Sequence, residues 1–354
     1  MDSIADIREH THSDLAAALK TMPRRPGFFD DLSATRSLFD TLLTAVPVDT
    51  SRVEVRTLDI DGPDGNLIPI GLYRPRGAIG SRPAILYLHG GAFAFGRSKP
   101  GGDHVAIALA EQVGAVVVSV SYRLAPEDPY PAGIEDCYQA LTWAAAHAAE
   151  LGIDPDRIAV TGQSAGGGLT AAVALMARDR GGPAIVYQSL YAPTLDDRGI
   201  TVSAGRITDR RVLNTYDLAD IYDHYLPDRD HVPAYAAPAR ATDLSGLPPA
   251  FVLVCELDPL RDEGLDYAQR LIDAGVPVTV HHIPGAWHIF EANAPTSPLA
   301  LSSIGLWLTH LATALDLPPT PTRPLMPPLS LWAKMRLGVK LLAIRRRMLA
   351  TASD

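Results

Sequence analysis

One pentapeptide in the chain has the residue types and spacing of an activated nucleophile: Gly162-Gln163-Ser164-Ala165-Gly166. It follows the apolar run Ile158-Ala159-Val160-Thr161 and leads into Gly167-Gly168-Leu169, where a helical pattern starts. A serine on a sharp strand-to-helix turn is held in strained geometry with its hydroxyl exposed. Gly162 and Gly166 suit the flanks because a side chain there would clash across the turn. The helix N-terminus behind Ser164 favours negative charge developing beside it. The bare pentapeptide is a weak signal; the strand–turn–helix context gives it weight.

A second cluster, His89-Gly90-Gly91-Ala92-Phe93, directly follows the apolar run Ala84 to Leu88. Glycines at a strand end let backbone N–H groups approach a ligand, and acyl transfer needs such donors at the oxyanion of its tetrahedral intermediate. The amides of Gly91, Ala92 and Ala165 are the candidates, with Gly90 supplying the turn and His89 fixing the loop. A serine nucleophile also needs a base, and the base an orienting carboxylate. His288, in Gly285-Ala286-Trp287-His288-Ile289-Phe290, lies in a loop after the last strand pattern. His281 and His282 sit inside that pattern and read as structural, one toward the core and one toward a helix layer. His10, His12, His104, His147, His224, His231 and His310 fall on lids, helices or surface loops. Asp258 stands just past the strand pattern Ala250 to Val254, with Glu256 as the rival acid; Asp262 and Glu263 read as caps of the helix that follows. Phe93 and Trp287 flank the catalytic loops and either line an acyl pocket or pack the lid. Arg123 and Glu127 read as a structural turn network rather than a site for a charged substrate.

These residues need a scaffold that brings strand ends together. Val53 to Ile60 and Leu67 to Tyr73 read as a hairpin closed by an Asp/Gly turn. Apolar runs follow at 84–88, 115–122, 158–161, 184–187, 250–254 and 278–283, as in strands buried on both faces. Helical patterns alternate with them at 134–149, 168–178 and 262–274. The last ends at Gly275, and Ser297-Pro298 opens a final helix. This alternation predicts an α/β fold with a mostly parallel sheet covered on both faces. Two helical excursions, residues 1–50 and about 200–232, read as a lid. The chain thus divides into N-terminal cap helices over 1–50, a catalytic domain over 51–317 containing the insertion, a Pro-rich linker over 318–328 and a basic tail over 329–354.

Composition narrows the function. Hydrophobic residues make up 47% and charged residues 20% of the 354 residues, the balance of a globular chain. A formal charge of −9 and only 6% aromatics argue against nucleic-acid binding. Cys137 and Cys255 both lie in apolar runs and read as buried free thiols. The polar, acidic start has no secretory pattern, and no continuous apolar run reaches about 20 residues, so a cytoplasmic protein is expected. No phosphate-loop or His-Glu-x-x-His pattern occurs, so neither a metal nor a cofactor is expected.

The order Ser164, Asp258, His288 is that of α/β-hydrolases; chymotrypsin-like and subtilisin-like enzymes arrange the same chemistry in other orders. The chain resembles the hormone-sensitive-lipase-type esterases of that fold. The resemblance rests on His89-Gly90-Gly91, Tyr122-Arg123-Leu124-Ala125-Pro126-Glu127 with Pro131 and Asp136, the Ser164 turn, Leu247-Pro248-Pro249-Ala250, Asp258 to Gly264, Tyr267, and His288 with Phe290. It covers about residues 50–315. It implies an eight-stranded, mostly parallel sheet under a helical cap, Ser164, Asp258 and His288 as triad, and cofactor-free hydrolysis of short- to medium-chain esters. Three positions depart from the family pattern: Ala92 and Ile289 where glycine is usual, and Gln163 where aspartate is usual.

The expected function is therefore a serine carboxylesterase, lipase-like in fold, acting on a small-molecule ester. An amidase or peptidase on the same scaffold and a non-catalytic ligand-binding member are the alternatives, and assembly as a homo-oligomer is left open. The tail carries Lys334, Arg336, Lys340, Arg345, Arg346 and Arg347 against Asp354, a net +5 beside −14 for the remainder. Interleaved apolar residues make it either a peripheral membrane contact on anionic lipid or a helix packed on the acidic enzyme or a partner subunit.

Overall fold

The computed structural model describes residues 3–25, 27–45, 48–96 and 102–326. Eight strands form one sheet: β1 (Val53–Asp61), β2 (Leu67–Pro75), β3 (Arg82–Leu88), β4 (Val116–Val120), β5 (Ile153–Gln163), β6 (Tyr187–Tyr191), β7 (Ala250–Leu257) and β8 (Val278–Trp287). Their order across the sheet is β1-β2-β4-β3-β5-β6-β7-β8. The β1–β2 hairpin and the β2–β4 pair are antiparallel, and every other neighbouring pair is parallel. The helices are α1 (Ala16–Thr21), α2 (Leu32–Ala45), α3 (His104–Val113), α4 (Ala132–Ala146), α5 (Ala148–Leu151), α6 (Ala165–Asp179), α7 (Val202–Arg206), α8 (Thr215–Tyr225), α9 (Arg261–Asp273) and α10 (Pro298–Ala314).

The continuous apolar strands have a simple cause. Ile85 and Tyr87 of β3 pack with residues of α3 and α10, while Ala84, Leu86 and Leu88 face α4 and α6. With both faces covered, neither set can be polar. Trp307 of α10 is fully buried, and its indole N–H donates to Thr161 Oγ1 and Ser189 Oγ, which fixes that helix over β5 and β6.

Three local expectations shift. Strand β6 starts at Tyr187, not Ala184, because the ladder with β5 opens at Ala159 paired to Tyr187, leaving Ala184 exposed at the rim. Strand β8 runs on to Trp287 through a register irregularity opposite Cys255 to Leu257, which carries the chain up to His288. His282 is exposed, so it faces solvent rather than a core or helix layer. Asp262 and Glu263 do not cap α9. Asp262 accepts the Ser203 amide at 2.7 Å, and Glu263 accepts the Leu195 and Asp196 amides at 2.6 and 3.3 Å. Tertiary partners outbid the local cap in both cases.

The two excursions join each other. Ile4 bridges to Ile207, the Ile7 amide donates to Asp209, and Arg25 pairs with Asp217 at 2.7 Å. Burial raises the Asp209 carboxyl, but its bonds to Arg211 and to the Ile7 and Arg211 amides outweigh this and hold it below the usual range. Arg36 of α2 reaches the body of the fold: its guanidinium donates to Ala94 O at 2.9 Å, to Ala125 O at 2.8 Å and to Glu127. Glu127 is thus a tether for the cap. Arg123 forms the expected turn network, with a forked contact to the buried Asp136.

The Pro-rich segment is docked, not a free linker. The Arg323 amide donates to Gln112 Oε1 at 2.6 Å, Thr320 Oγ1 donates to Gln112 O, and the Arg323 side chain pairs with Glu111. Residues 327–328 and the basic tail 329–354 lie outside the described residues.

Candidate active site

Ser164 caps α6 at φ 57°, ψ −123°, a conformation that L-residues rarely hold. The turn is pinned on three sides: its amide donates to Tyr191 O at 2.9 Å, and its carbonyl accepts the Gly168 and Thr194 amides, each at 3.1 Å. Gly166 is obligatory here, because a Cβ would stand 2.0 Å from Leu88 O. Glu263, through the amides of Leu195 and Asp196, secures the loop that carries Thr194. Burial pushes the Glu263 carboxyl well above the usual carboxylate range.

Asp258 and His288 follow the ends of β7 and β8 and converge on the serine. Asp258 is 1% exposed; its Oδ1 accepts the Leu260 amide at 3.0 Å, and its Oδ2 lies 2.7 Å from His288 Nδ1. His288 Nε2 lies 2.9 Å from Ser164 Oγ. A carboxylate only accepts, so Nδ1 carries the imidazole proton and Nε2 offers its lone pair to the serine hydroxyl. Glu256, the rival acid, is turned away. Its Oε2 accepts the Gly285 amide at 2.7 Å, steadying the irregular end of β8.

The loop after β3 comes against the nucleophile: a Cβ on Gly90 would be 3.4 Å from Ser164 Cβ. The Ala94 and Phe95 amides both fold back to Gly91 O, at 2.9 and 2.7 Å. Gly91 has φ 127°, and a Cβ there would lie 2.2 Å from Phe95 O. His89 fixes the loop, stacking on Tyr122 at 4.2 Å, while the Tyr122 hydroxyl donates to His89 O at 2.7 Å. Among the described residues the amides of Gly91, Ala92 and Ala165 have no hydrogen-bond acceptor. Donors left open beside a nucleophile, at a helix N-terminus, suit a developing oxyanion. Two of the three departures from the family pattern, Ala92 at φ 52° and Ile289 at φ 50°, occupy left-handed positions where glycine costs less.

A cavity of about 810 Å³ opens over these groups, lined by Ser164, His288, Gly91 and Ala92 together with Met22, Phe39 and Leu213 of the cap segments. Trp287 contributes to its wall and donates from its indole to Asn293 Oδ1 at 3.1 Å. Phe93 does not line it; its ring stacks on Tyr225 of α8 at 3.9 Å, so it packs the lid. His104, which looked unremarkable in sequence, contributes to the wall.

Sequence reasoning also missed Glu291. It is 4% exposed, sits three residues beyond His288 and contributes to the same cavity wall. Burial holds its carboxyl above the usual range, offset in part by the Tyr191 hydroxyl beside it. Nothing in the pattern marks it, since Glu291 stands where a solvated turn residue would also fit. Cys137 and Cys255 are buried, free and raised by burial, so they do not compete as nucleophiles.

A family model described as the alpha/beta hydrolase fold matches residues 85–292. Carboxylesterase NlhH of Mycobacterium tuberculosis is 43% identical over 271 residues, 75% of this chain and 83% of that protein. Esterase LipI of the same organism is 38% identical over 326 residues, 89% of this chain and 98% of its own. Among solved structures, a bacterial heroin esterase superposes with a TM-score of 0.83 at 40% identity, covering 88% of this chain and 99% of its own. Chain order, strand-end geometry and these matches agree: the chain belongs to the hormone-sensitive-lipase-type esterase family of α/β-hydrolases.

Proposed function

We propose that the protein is a serine carboxylesterase that hydrolyses small-molecule esters through an acyl-enzyme. The observation that carries this is the unbroken chain Ser164 Oγ, His288 Nε2, His288 Nδ1, Asp258 Oδ2, with both contacts under 3.0 Å. Ser164 Oγ attacks the ester carbonyl as His288 takes its proton, and Asp258 stabilises the imidazolium. The amides of Gly91, Ala92 and Ala165 receive the oxyanion. Collapse releases the alcohol, protonated by His288; water then attacks the acyl-enzyme with His288 again as base, freeing the acid and Ser164. No step calls for a cofactor. The cavity under the cap supports short- to medium-chain acids over emulsified long-chain lipid.

Labelling by a fluorophosphonate, followed by turnover of a p-nitrophenyl ester and its matched anilide, tests the reading. Wild type should label and hydrolyse the ester much faster than the anilide, and Ser164→Ala should do neither. Faster anilide hydrolysis would favour the amidase alternative; folded protein that does not label would favour the non-catalytic one. No helix among the described residues is long and apolar enough to cross a membrane. The proposed setting is the cytoplasm, with the +5 tail as peripheral contact to anionic lipid. Sedimentation with anionic vesicles at low salt, full chain against a chain ending at 328, tests it; equal negligible binding would refute it. Sedimentation equilibrium of the full chain decides between monomer and homo-oligomer.

A further inference from the structure

The segment after α10 reaches the substrate cavity. Leu325, 9% exposed, packs in the same apolar cluster as Leu15, Leu19 and Trp287. Leu325 and Met326 both line the cavity that holds Ser164 and His288. Four of the nine residues 318–326 are proline, each with φ fixed by its ring, so the segment loses little freedom on docking. It is anchored at one place, the C-terminal end of α3, where Gln112 accepts from both Thr320 and Arg323 and Glu111 pairs with Arg323. Glu111 also reaches Arg52 at 3.3 Å, tying the anchor to the start of β1. The strap itself, residues 318–326, lies beyond the residues 85–292 matched by the family model, while its anchor, Glu111 and Gln112, lies within them.

We propose that this strap is a specificity element: Leu325 and Met326 close one apolar end of the cavity and set the longest chain an ester can place there. The inference rests on the esterase reading and deepens it. An ester presents two apolar chains, acyl and alcohol, and either could run toward the strap; the chemistry recognised is an unbranched hydrocarbon. Each methylene given new buried space gains about fourfold in kcat/KM. Each methylene that meets the strap gains nothing.

The test compares kcat/KM over two series in the full chain: p-nitrophenyl esters from acetate to dodecanoate, and acetates of alcohols from methyl to decyl. In Leu325→Ala/Met326→Ala the long-to-short ratio should rise about tenfold in one series, and that series identifies which chain the strap bounds. Met326→Trp, which keeps the strap and fills its end, should shift the same profile toward shorter chains. Gln112→Ala lies outside the cavity and loosens the anchor by removing the Oε1 that accepts the Arg323 amide, so it should move the profile in the direction of the double alanine variant, by less. Thermal unfolding confirms that each variant is folded. Ratios within twofold of wild type in both series, for all three folded variants, would overturn the strap proposal while leaving the esterase reading standing. A wild-type chain that turns over no ester in either series would overturn both.

Discussion

Replacing Asp258 by asparagine changes one atom, and the structure says which way the new amide must turn. Asp258 Oδ1 accepts the buried Leu260 amide at 3.0 Å. An N–H donor cannot face another donor, so the asparagine oxygen has to stay on that side. Its NH₂ group then occupies the Oδ2 position, 2.7 Å from His288 Nδ1. The imidazole must offer a lone pair at Nδ1 and carry its proton on Nε2, the atom that faces Ser164 Oγ at 2.9 Å. In that tautomer it cannot take the serine proton. Loss of the correct tautomer and of imidazolium stabilisation costs about 10⁴-fold in kcat, about 5 kcal/mol on the barrier. KM should change little, because Asp258 is 1% exposed and does not line the cavity. The assay is steady-state hydrolysis of p-nitrophenyl butyrate, with thermal unfolding to show that the fold is kept. A folded Asp258→Asn protein with more than a tenth of wild-type kcat would refute the tautomer argument and return Glu256 to consideration.

Gly166→Ala should destabilise the fold by at least about 3 kcal/mol, because the added Cβ meets Leu88 O at 2.0 Å and His89 O at 2.6 Å, both backbone atoms that no rotamer avoids; thermal unfolding reads this. Arg36→Ala releases cap helix α2 from Ala94 O, Ala125 O and Glu127, and should raise KM about tenfold with a smaller effect on kcat. Glu291→Gln tests the buried carboxyl through pH. Its folded pKa is raised above the unfolded 4.5, so its contribution to stability is fully present below pH 4.5 and is lost as pH rises through the folded value. Thermal unfolding should therefore show the variant gaining on wild type between pH 4.5 and pH 8; a difference that is constant across this range would contradict the reading of a carboxyl raised by burial.

The sequence alone determined the catalytic chemistry and the layered fold. The serine turn, the glycine loop and the Asp258 and His288 positions are written locally, because strand ends, tight turns and helix starts each demand particular residues at short range. The apolar runs give the parallel sheet for the same reason: covered on both faces, its strands tolerate no alternation. What could not be read locally is what depends on partners distant in the chain. Asp262 and Glu263 look like caps until Ser203, Leu195 and Asp196 arrive to claim them. Asp258 is the better-placed acid in sequence and Glu256 its rival, and the return of β8 gives Gly285 to Glu256 and His288 to Asp258. Phe93 chose the lid over the pocket because α8 lays Tyr225 across its ring. Proline-rich composition specifies a stiff segment but not its destination. Only the tertiary structure, by placing Gln112 and Glu111 beneath it, turned a linker into a strap that reaches the active site.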